Sequence, residues 1–310
     1  MTSNHHPDYT PPSSAAMLAK QDERDALRLL IAQRRLYRRA KRWLGLRWFG
    51  MLVIGLAAPV VAVIEPDFAV WVGGVAGLWL FVGRTALVFV QSATTARAAA
   101  TQEQFDFYVY GMPSSIDRTT LPPLEEIAKI AGADDQLKVI ATEEKLIEWY
   151  PIKAADSGIV SVAISQRANA SYADRLLRTT AITWGVVTAV WAVALIVASV
   201  IAALPLLTFI AGVLLPLLPA FLDIVQYVVG IWRAARDRGD LARSIEEKLR
   251  GIGSAIEPSD LLVWQERLYG LRTSTPEVPD FIYKLQRKAN ERAMHSAARQ
   301  LADKAKRSGQ

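Results

Sequence analysis

Long uncharged stretches interrupt the otherwise polar sequence at three places. Residues 48–64 and 68–83 contain no charged side chain, and residues 179–222 form one uncharged run of 44 residues. A helix needs roughly 20 apolar residues to cross the hydrocarbon core of a bilayer. The first two runs therefore predict two membrane spans, and the third run is long enough for two more.

Flanking charges and prolines set the predicted span boundaries. One helical hairpin is predicted from spans 44–64 and 68–90, and a second from spans 179–203 and 206–232, with Pro205 at its turn. The two short links carry no Lys or Arg, whereas the outer flanks of both hairpins are rich in them. Because Lys and Arg favour the cytosolic side of a membrane, we expect both termini and the polar segments in the cytosol.

The polar segments are predicted to be helical as well, apart from a disordered N-terminal tail at residues 1–17. Residues 18–43 form a basic amphipathic helix that leads into the first span, and we expect its arginines to bind anionic lipid headgroups. Residues 91–178 form a helical insert and residues 233–310 a helical C-terminal region. The sequence thus predicts an all-α integral membrane protein with two transmembrane hairpins.

Within the polar segments, several helix boundaries follow from prolines and hydrophobic spacing. The insert is predicted to contain helices at residues 92–109, 124–131, 134–149 and 159–178. In the C-terminal region, Ser259 is predicted to cap a helix that begins at the next residue.

Composition excludes several function classes. The chain has no cysteine and only three histidines, which excludes disulfides, Fe–S clusters and Cys-ligated zinc. The Gly-rich phosphate loops, the dinucleotide-binding turn and the common hydrolase and metalloprotease motifs are missing from the sequence. We therefore expect a protein that is not an enzyme, with no catalytic residues, no resident cofactor and no metal site.

Two ionisable residues lie well inside the predicted spans, Arg84 and Asp223. The helical rise places Arg84 about 9 Å and Asp223 about 13 Å from the cytosolic ends of their spans, so the two side chains can meet. Charges inside a membrane are costly and often functional. One interpretation is an ion pair that gates or lines a polar path. The alternative is that Arg84 reaches the interface while Asp223 caps a helix kink.

The fourth span carries two prolines shortly before Asp223. Pro216 and Pro219 each remove a backbone donor, which predicts a bend in this span. Gln226 follows below the predicted bend. Pro216, Pro219 and Gln226 are therefore further candidates for the gate. Ordinary helix packing around a neighbour also explains a bend of this kind.

Four aromatic residues lie close together in the insert: Phe105, Phe107, Tyr108 and Tyr110. Together with Arg167 and Arg175 they can in principle stack a nucleobase and bind a phosphate. A hydrophobic core cluster is the interpretation that we favour, and nucleic-acid binding is not expected.

Several short motifs resemble a known family, the SMODS-associated four-transmembrane effectors. The similarity lies in the following segments: Gln33 to Lys41, Gln102 to Asp106 with Val109 and Tyr110, Trp149-Tyr150-Pro151, Gln166 to Asn169, Gln265 to Tyr269 with Arg272, and Val278 to Tyr283. The order of these motifs, the number of spans and the chain length also resemble the family.

The resemblance implies a pore-forming effector in the bacterial inner membrane, active in antiphage defence. Its implied activator is a cyclic nucleotide or oligonucleotide second messenger made by a cyclic-nucleotide-type synthase, and its implied active form is a homo-oligomer in the lipid bilayer. The residues that it suggests for ligand sensing are Gln102, Phe105, Asp106, Trp149, Tyr150, Gln166, Arg167, Asn169 and Arg175. Two alternatives stay open, a constitutive membrane scaffold for a cytosolic partner and a small channel or transporter subunit.

Overall fold

The computed structural model describes residues 9–113, 118–252, 254–275 and 277–308, and every regular element in these ranges is helical. The α-helices are α1 (Ser14–Gln21), α2 (Arg24–Ile64), α3 (Ala69–Val82), α4 (Val88–Tyr110), α5 (Leu124–Ala131), α6 (Leu137–Glu143), α7 (Gly158–Ile201), α8 (Leu206–Thr208), α9 (Leu215–Leu249), α10 (Pro258–Ser274) and α11 (Asp280–Ser308).

Four long helical rods organise the chain, and they consist of α2, of α3 with α4, of α7, and of α8 with α9. Helices α2 and α7 run unbroken for 41 and 44 residues. A π-helical turn at Gly83–Leu87 joins α3 to α4, and a second at Phe209–Leu214 joins α8 to α9. The α3–α4 rod packs along α2, and α9 packs along α7. Each rod has an apolar half within 44–90 or 179–232, and its other half belongs to a polar body formed by the rest of the chain.

The apolar halves expose large hydrophobic side chains to their surroundings. Phe49, Trp71, Phe89 and Leu207 are between 64% and 78% exposed. A water-soluble monomer rarely exposes a continuous apolar surface of this size. Among the described residues, three helices are long and apolar enough to cross a membrane, Val70–Tyr110, Gly158–Ile201 and Leu217–Leu249. The span at 44–64, which forms the apolar half of α2, and the four-span arrangement remain predictions.

The polar body encloses the main hydrophobic core. Residues of α2, α4, α7, α9, α10 and α11 meet there, with Leu30, Phe105, Tyr110 and Ile164 almost completely buried. The predicted core position of the aromatic cluster at Phe105 and Tyr110 is therefore confirmed. A smaller core lies where the body meets the apolar halves, and in it the ring of Trp48 stacks on Trp184 at 4.8 Å between centroids.

The arginines of α2 bind protein groups where headgroup binding was expected. Arg34 and Arg38 both pair with Glu144, at 3.1 and 2.8 Å. Arg35 donates to the backbone oxygens of Ile130 and Ala131 at 2.7 and 2.9 Å. Those carbonyls end α5, where the helix leaves its acceptors unpaired and its dipole favours a cation. The headgroup interpretation is wrong for these three side chains.

Part of the predicted disordered tail is ordered. The hydroxyl of Tyr9 donates to the backbone oxygen of Tyr110 at 2.9 Å, and Tyr9 is buried. Ser13 caps α1, and Ser14 donates to the backbone oxygen of Asp156 at 2.7 Å. Residues 9–17 thus pack on the body because they satisfy its polar groups, and residues 1–8 of the predicted tail lie outside the described residues.

Two helix boundaries differ from their predictions. The helix expected at 134–149 covers only Leu137–Glu143, because Lys145 and Glu148 take left-handed backbone conformations that end it. Helix α10 begins at Pro258, earlier than predicted, and its N-cap is Glu257 in a capping box with Asp260. Ser259 therefore lies inside the helix and does not cap it.

Candidate functional site

A cavity of about 680 Å³ lies in the polar body, where α2, α7, α9, α10 and α11 meet. Its aromatic lining residues are Tyr37, Trp149, Tyr150, Tyr172 and Tyr283. Its cationic lining residues are Arg34, Arg38, Lys41, Lys145, Arg238 and Arg272, and its acidic ones are Glu148, Glu277 and Glu291. Cations thus outnumber carboxylates six to three in the lining, so the cavity has the chemistry to hold an anionic, aromatic ligand.

A buried polar network forms the wall of this cavity around Asp106. Its Oδ2 atom accepts from Nη1 of Arg272 at 2.6 Å and from Nε2 of Gln265 at 2.8 Å. Its Oδ1 atom accepts from the hydroxyl of Tyr150. Asn169 completes the wall, because its Nδ2 atom donates to the Tyr150 hydroxyl at 3.4 Å.

The electrostatics of this network keep Tyr150 neutral and Arg272 charged. Burial raises the pKa of Tyr150 well above its ordinary value of 10.0, and the negative charge of Asp106 raises it further. Burial by itself lowers the pKa of Arg272, but the carboxylate of Asp106 outweighs this effect and leaves the pKa raised. Arg272 therefore stays protonated, as one half of a buried ion pair with Asp106 in the cavity wall.

Arg238 on α9 is the second buried cation of the lining. It is only 6% exposed, and its Nη2 atom donates to the backbone oxygen of Leu271 at 2.8 Å. Its Nη1 atom donates to the hydroxyl of Thr275. Both of these acceptors are neutral, and among the described side chains no carboxylate lies within ion-pair distance of Arg238. Burial lowers the pKa of Arg238 to about 10, and the more distant carboxylates of Glu277 and Asp237 offset this effect only in part. A buried cation without a direct ion pair is costly, which is typical of sites that bind anions.

A second cluster lies in the apolar half of the molecule, around Asp223. This carboxylate is 3% exposed and pairs with two arginines, Arg84 and Arg47. The distances are 2.7 Å from Arg84 Nε to Oδ1 and 3.0 Å from Arg47 Nη2 to Oδ2. Of the two interpretations left open by the sequence, the structure has the ion pair between Arg84 and Asp223, and its role as a gate stays a prediction. Arg84 lies in the π-helical turn Gly83–Leu87, a backbone irregularity that is frequent at functional sites.

A smaller cleft of about 230 Å³ adjoins Asp223, and Gln226 contributes to its lining. Its other polar lining residues are Arg47, Gln91, Ser92, Thr95, Thr273, Ser274 and Thr275. Thr275 lines both the cavity and the cleft. Glu277, from the same connector between α10 and α11, accepts from the hydroxyl of Thr95 at 3.0 Å. This connector therefore joins the two sites physically.

The structure places some of the residues suggested for ligand sensing at the cavity and others elsewhere. Gln102, Trp149, Tyr150 and Asn169 line the cavity, and Asp106 lies directly behind Tyr150 and Arg272.

The remaining candidates lie apart from the cavity. Phe105 is a core residue, and Gln166 is buried, donating to the backbone oxygen of Leu261 at 2.8 Å. Arg167 pairs with Glu246 at 2.8 Å, and Arg175 is exposed outside the cavity lining.

The two prolines proposed for the gate follow directly after the π-helical turn Phe209–Leu214. Pro219 lies inside α9, and Pro216 stands in its first turn. A proline cannot close the usual backbone bond, and an altered turn upstream accommodates that loss. The side chain of Pro216 lies outside the described part of the chain, and the gating role of both prolines stays a prediction.

Sequence reasoning missed Arg47 and Arg238 as site residues. Arg47 lies at the cytosolic edge of the predicted span 44–64 and Arg238 in the basic flank after the fourth span, and Lys and Arg at such places are explained by membrane orientation alone. Arg47 is the last charge before the uncharged run at 48–64, which places it at a depth similar to that of Arg84. The position of Arg47 could therefore have identified it as a partner for Asp223, whereas nothing in the sequence distinguishes Arg238 from its neighbours.

The fold and these two sites define a helical membrane protein with a ligand-sized cavity in its polar body. Residues 15–301 match the family described as the SMODS-associating 4TM effector domain. The chain therefore belongs to this family of effectors associated with SMODS nucleotide signalling, as its motifs predicted. Comparisons with curated proteins and with solved structures find no match for the chain.

Proposed function

We propose that this protein permeabilises the bacterial inner membrane in response to a nucleotide second messenger during antiphage defence, without catalysing a reaction. The observation that carries the proposal is the buried Asp223, held between Arg47 and Arg84 beside a polar cleft. These polar groups lie where the surrounding helices expose apolar surface, and ionisable groups in such a position are often functional.

The Asp223 cluster ties three helical rods together. Arg47 belongs to α2, Arg84 to the α3–α4 rod and Asp223 to α9, so the two ion pairs link both predicted hairpins. Breaking such a buried cluster by removing one partner leaves an uncompensated charge, which is strongly unfavourable. The cluster thus acts as a lock on the closed arrangement. Separation of the rods hydrates these charges and opens a polar path.

An open path requires more than one chain, because four helices enclose little space between them. We therefore propose a homo-oligomer with four spans per chain, 44–64, 68–90, 179–203 and 206–232, and with both termini in the cytosol. The polar body then lies on the side where a cytosolic synthase releases its product. Ligand binding shifts the closed–open equilibrium only by its differential affinity for the two states.

Dye release from liposomes tests this proposal. Purified full-length protein is reconstituted around a self-quenching dye and exposed to cyclic di-AMP, cyclic di-GMP, cyclic GMP–AMP and cyclic tri-AMP, with ATP as a non-cyclic control. We expect release with one cyclic nucleotide only. Release with none of them, from protein shown to be folded and inserted, contradicts the proposal and favours a scaffold that recruits a cytosolic partner.

Two variants test the lock. Asp223→Asn removes the shared counter-charge, so we expect dye release to begin without nucleotide or at a lower nucleotide concentration. Asp240→Asn is the matched control, because Asp240 forms an exposed ion pair with Arg243 on the same helix. Equal behaviour of the two variants and the wild type would show that the Asp223 cluster does not control permeation.

A further inference from the structure

We propose that the 680 Å³ cavity of the polar body is the receptor site for the nucleotide second messenger, with its phosphates at Arg238 and Arg272 and its bases against the surrounding aromatic rings. This inference rests on the proposed function and identifies which part of the chain senses the signal. The volume lies within the usual range for small-molecule sites, about 300–1,000 Å³.

The two buried arginines are arranged to receive phosphate. Arg238 makes its hydrogen bonds only to neutral oxygens, those of Leu271 and Thr275, among the residues that the structure describes. Arg272 uses Nη1 for Asp106, while its Nη2 atom is buried and has no hydrogen-bond partner within the described ranges. Guanidinium groups bind phosphate oxygens in a bidentate fashion, and such bonds are strongest where water is excluded.

The aromatic rings are placed to stack bases. Tyr37, Trp149, Tyr172 and Tyr283 line the cavity and are each half-buried, so each ring keeps an accessible part. Stacking of one base on an aromatic side chain tightens binding at least about fivefold and tolerates any base. A ligand with two or more bases and phosphates therefore fits this lining better than an inorganic anion does.

The motifs that carry the family resemblance converge on this cavity although they are far apart in the sequence. Five separate segments contribute lining residues from those motifs: Gln33, Tyr37 and Lys41; Gln102; Trp149, Tyr150 and Pro151; Asn169; and Arg272, Val278 and Tyr283. A motif that served only helix packing has no reason to meet the others around one open space. Their common position indicates a shared ligand.

The connector between α10 and α11 provides the link from the cavity to the Asp223 cluster. Arg238 donates to Thr275, which lines both the cavity and the cleft. Two residues later, the carboxylate of Glu277 accepts from Thr95, and its backbone oxygen accepts from Tyr227 at 2.9 Å. A phosphate that takes the hydrogen bonds of Arg238 releases Thr275, and the connector can then move relative to α4 and α9.

Binding measurements on the full-length protein in detergent test this assignment separately from permeation. Isothermal titration with the four cyclic nucleotides and ATP identifies the bound species. Arg238→Met keeps an unbranched apolar stem and removes the guanidinium group with its charge, and we expect binding to weaken at least tenfold. Arg243→Met, on the exposed face of the same helix, is the matched control and keeps wild-type affinity.

A second variant keeps the assignment testable if Arg238→Met does not fold. Tyr172→Leu removes one stacking surface without removing a charge, and we expect affinity to fall about five- to a hundredfold, the value of one stacked base. Unchanged affinity in both variants, or a wild-type protein that binds none of the nucleotides, overturns the assignment. Weakened binding with unchanged permeation leaves the receptor site correct but separates it from the pore. Permeation that follows a nucleotide bound outside the cavity leaves the pore proposal correct and the site wrong.

Discussion

Arg272 and Asp106 form an ion pair in the polar body, with 2.6 Å between Nη1 and Oδ2, and their side chains are only 8% and 0% exposed. The pair joins α10 to α4, with Arg272 in the cavity lining and Asp106 directly behind it. Gln265 and Tyr150 supply two further hydrogen bonds to the same carboxylate. Satisfied contacts of this kind in a low-dielectric interior hold the helices in one packing.

Removal of the Asp106 carboxylate is expected to destabilise the polar body strongly. Asp106→Ala leaves Arg272 buried and unpaired, and the expected loss is about 3–5 kcal/mol of unfolding free energy. Thermal unfolding in detergent measures the change. Asp25→Ala is the control, because Asp25 forms an exposed pair with Arg28, and its loss is expected to be below about 1 kcal/mol. Similar losses in both variants would contradict the role of the network.

The stability of the protein is expected to fall at alkaline pH, partly through Tyr150. An unfolded tyrosine titrates near pH 10, whereas burial and the neighbouring Asp106 raise the pKa of folded Tyr150 well above 10.0. The folded chain then holds a proton that the unfolded chain loses. The contribution is complete below about pH 10 and is lost as the pH rises above that value, by up to about 1.4 kcal/mol per pH unit.

Tyr150→Phe tests this pH dependence. The variant is expected to reduce the slope of stability against pH above about pH 10, as measured by thermal unfolding from about pH 8 to about pH 11. Phe105→Leu changes the ring that stacks on Tyr150 at 5.8 Å but removes no ionisable group, so it keeps the wild-type slope. A wild-type slope in Tyr150→Phe would rule out the contribution of this hydroxyl.

A glycine at the start of α7 allows the N-terminal segment to pack closely. A Cβ atom at Gly158 would overlap the backbone oxygen of Pro12. Gly158→Ala is therefore expected to cost about 1–3 kcal/mol and to expose residues 9–13 to limited proteolysis. Gly270→Ala is the control, because Gly270 lies in α10 with open space around it and alanine favours the helix by about 1 kcal/mol. Equal proteolysis of both variants would contradict the expected displacement.

One glycine of the first predicted hairpin, Gly50, lies against a large aromatic ring of α3. A Cβ atom at Gly50 would overlap the ring of Trp79, whereas Gly73 and Gly77 have open space around them. Gly50→Ala is thus expected to lower the unfolding temperature in detergent, and Gly77→Ala to leave it unchanged. A larger drop in unfolding temperature for Gly77→Ala than for Gly50→Ala would contradict this expectation and would show that Gly77 packs closely against another part of the protein.

The predicted four-span topology can be tested by labelling single introduced cysteines, because the chain contains no cysteine of its own. Single substitutions Asp67→Cys and Ala203→Cys place a thiol in each short link, and Asp134→Cys places one in the polar body. A membrane-impermeant maleimide is expected to label the first two in intact spheroplasts and the third only after lysis. Protection of Asp67→Cys would show that span 44–64 does not cross the membrane.

Local sequence patterns predicted much of the helical framework. Helix α5 begins and ends at the predicted residues, and the predicted link at Pro205 separates α7 from α8. Charge placement also showed that Arg84 and Asp223 can meet, because helical rise converts sequence position into depth, but only the packed helices decided between this ion pair and the alternative without it. The shortened α6 was not predictable, since left-handed residues such as Lys145 leave no periodic signal.

The sequence by itself determined the class of protein, the apolar segments and the family, because hydrophobicity, charge and short motifs are properties of local stretches of chain. Tertiary structure alone decided which side chains meet. It brought Arg47 to Asp223 and Arg238 to Thr275, and it formed the cavity among the helices of the polar body. These contacts join residues that are distant along the chain, so they depend on the packing of whole helices, which local patterns do not specify.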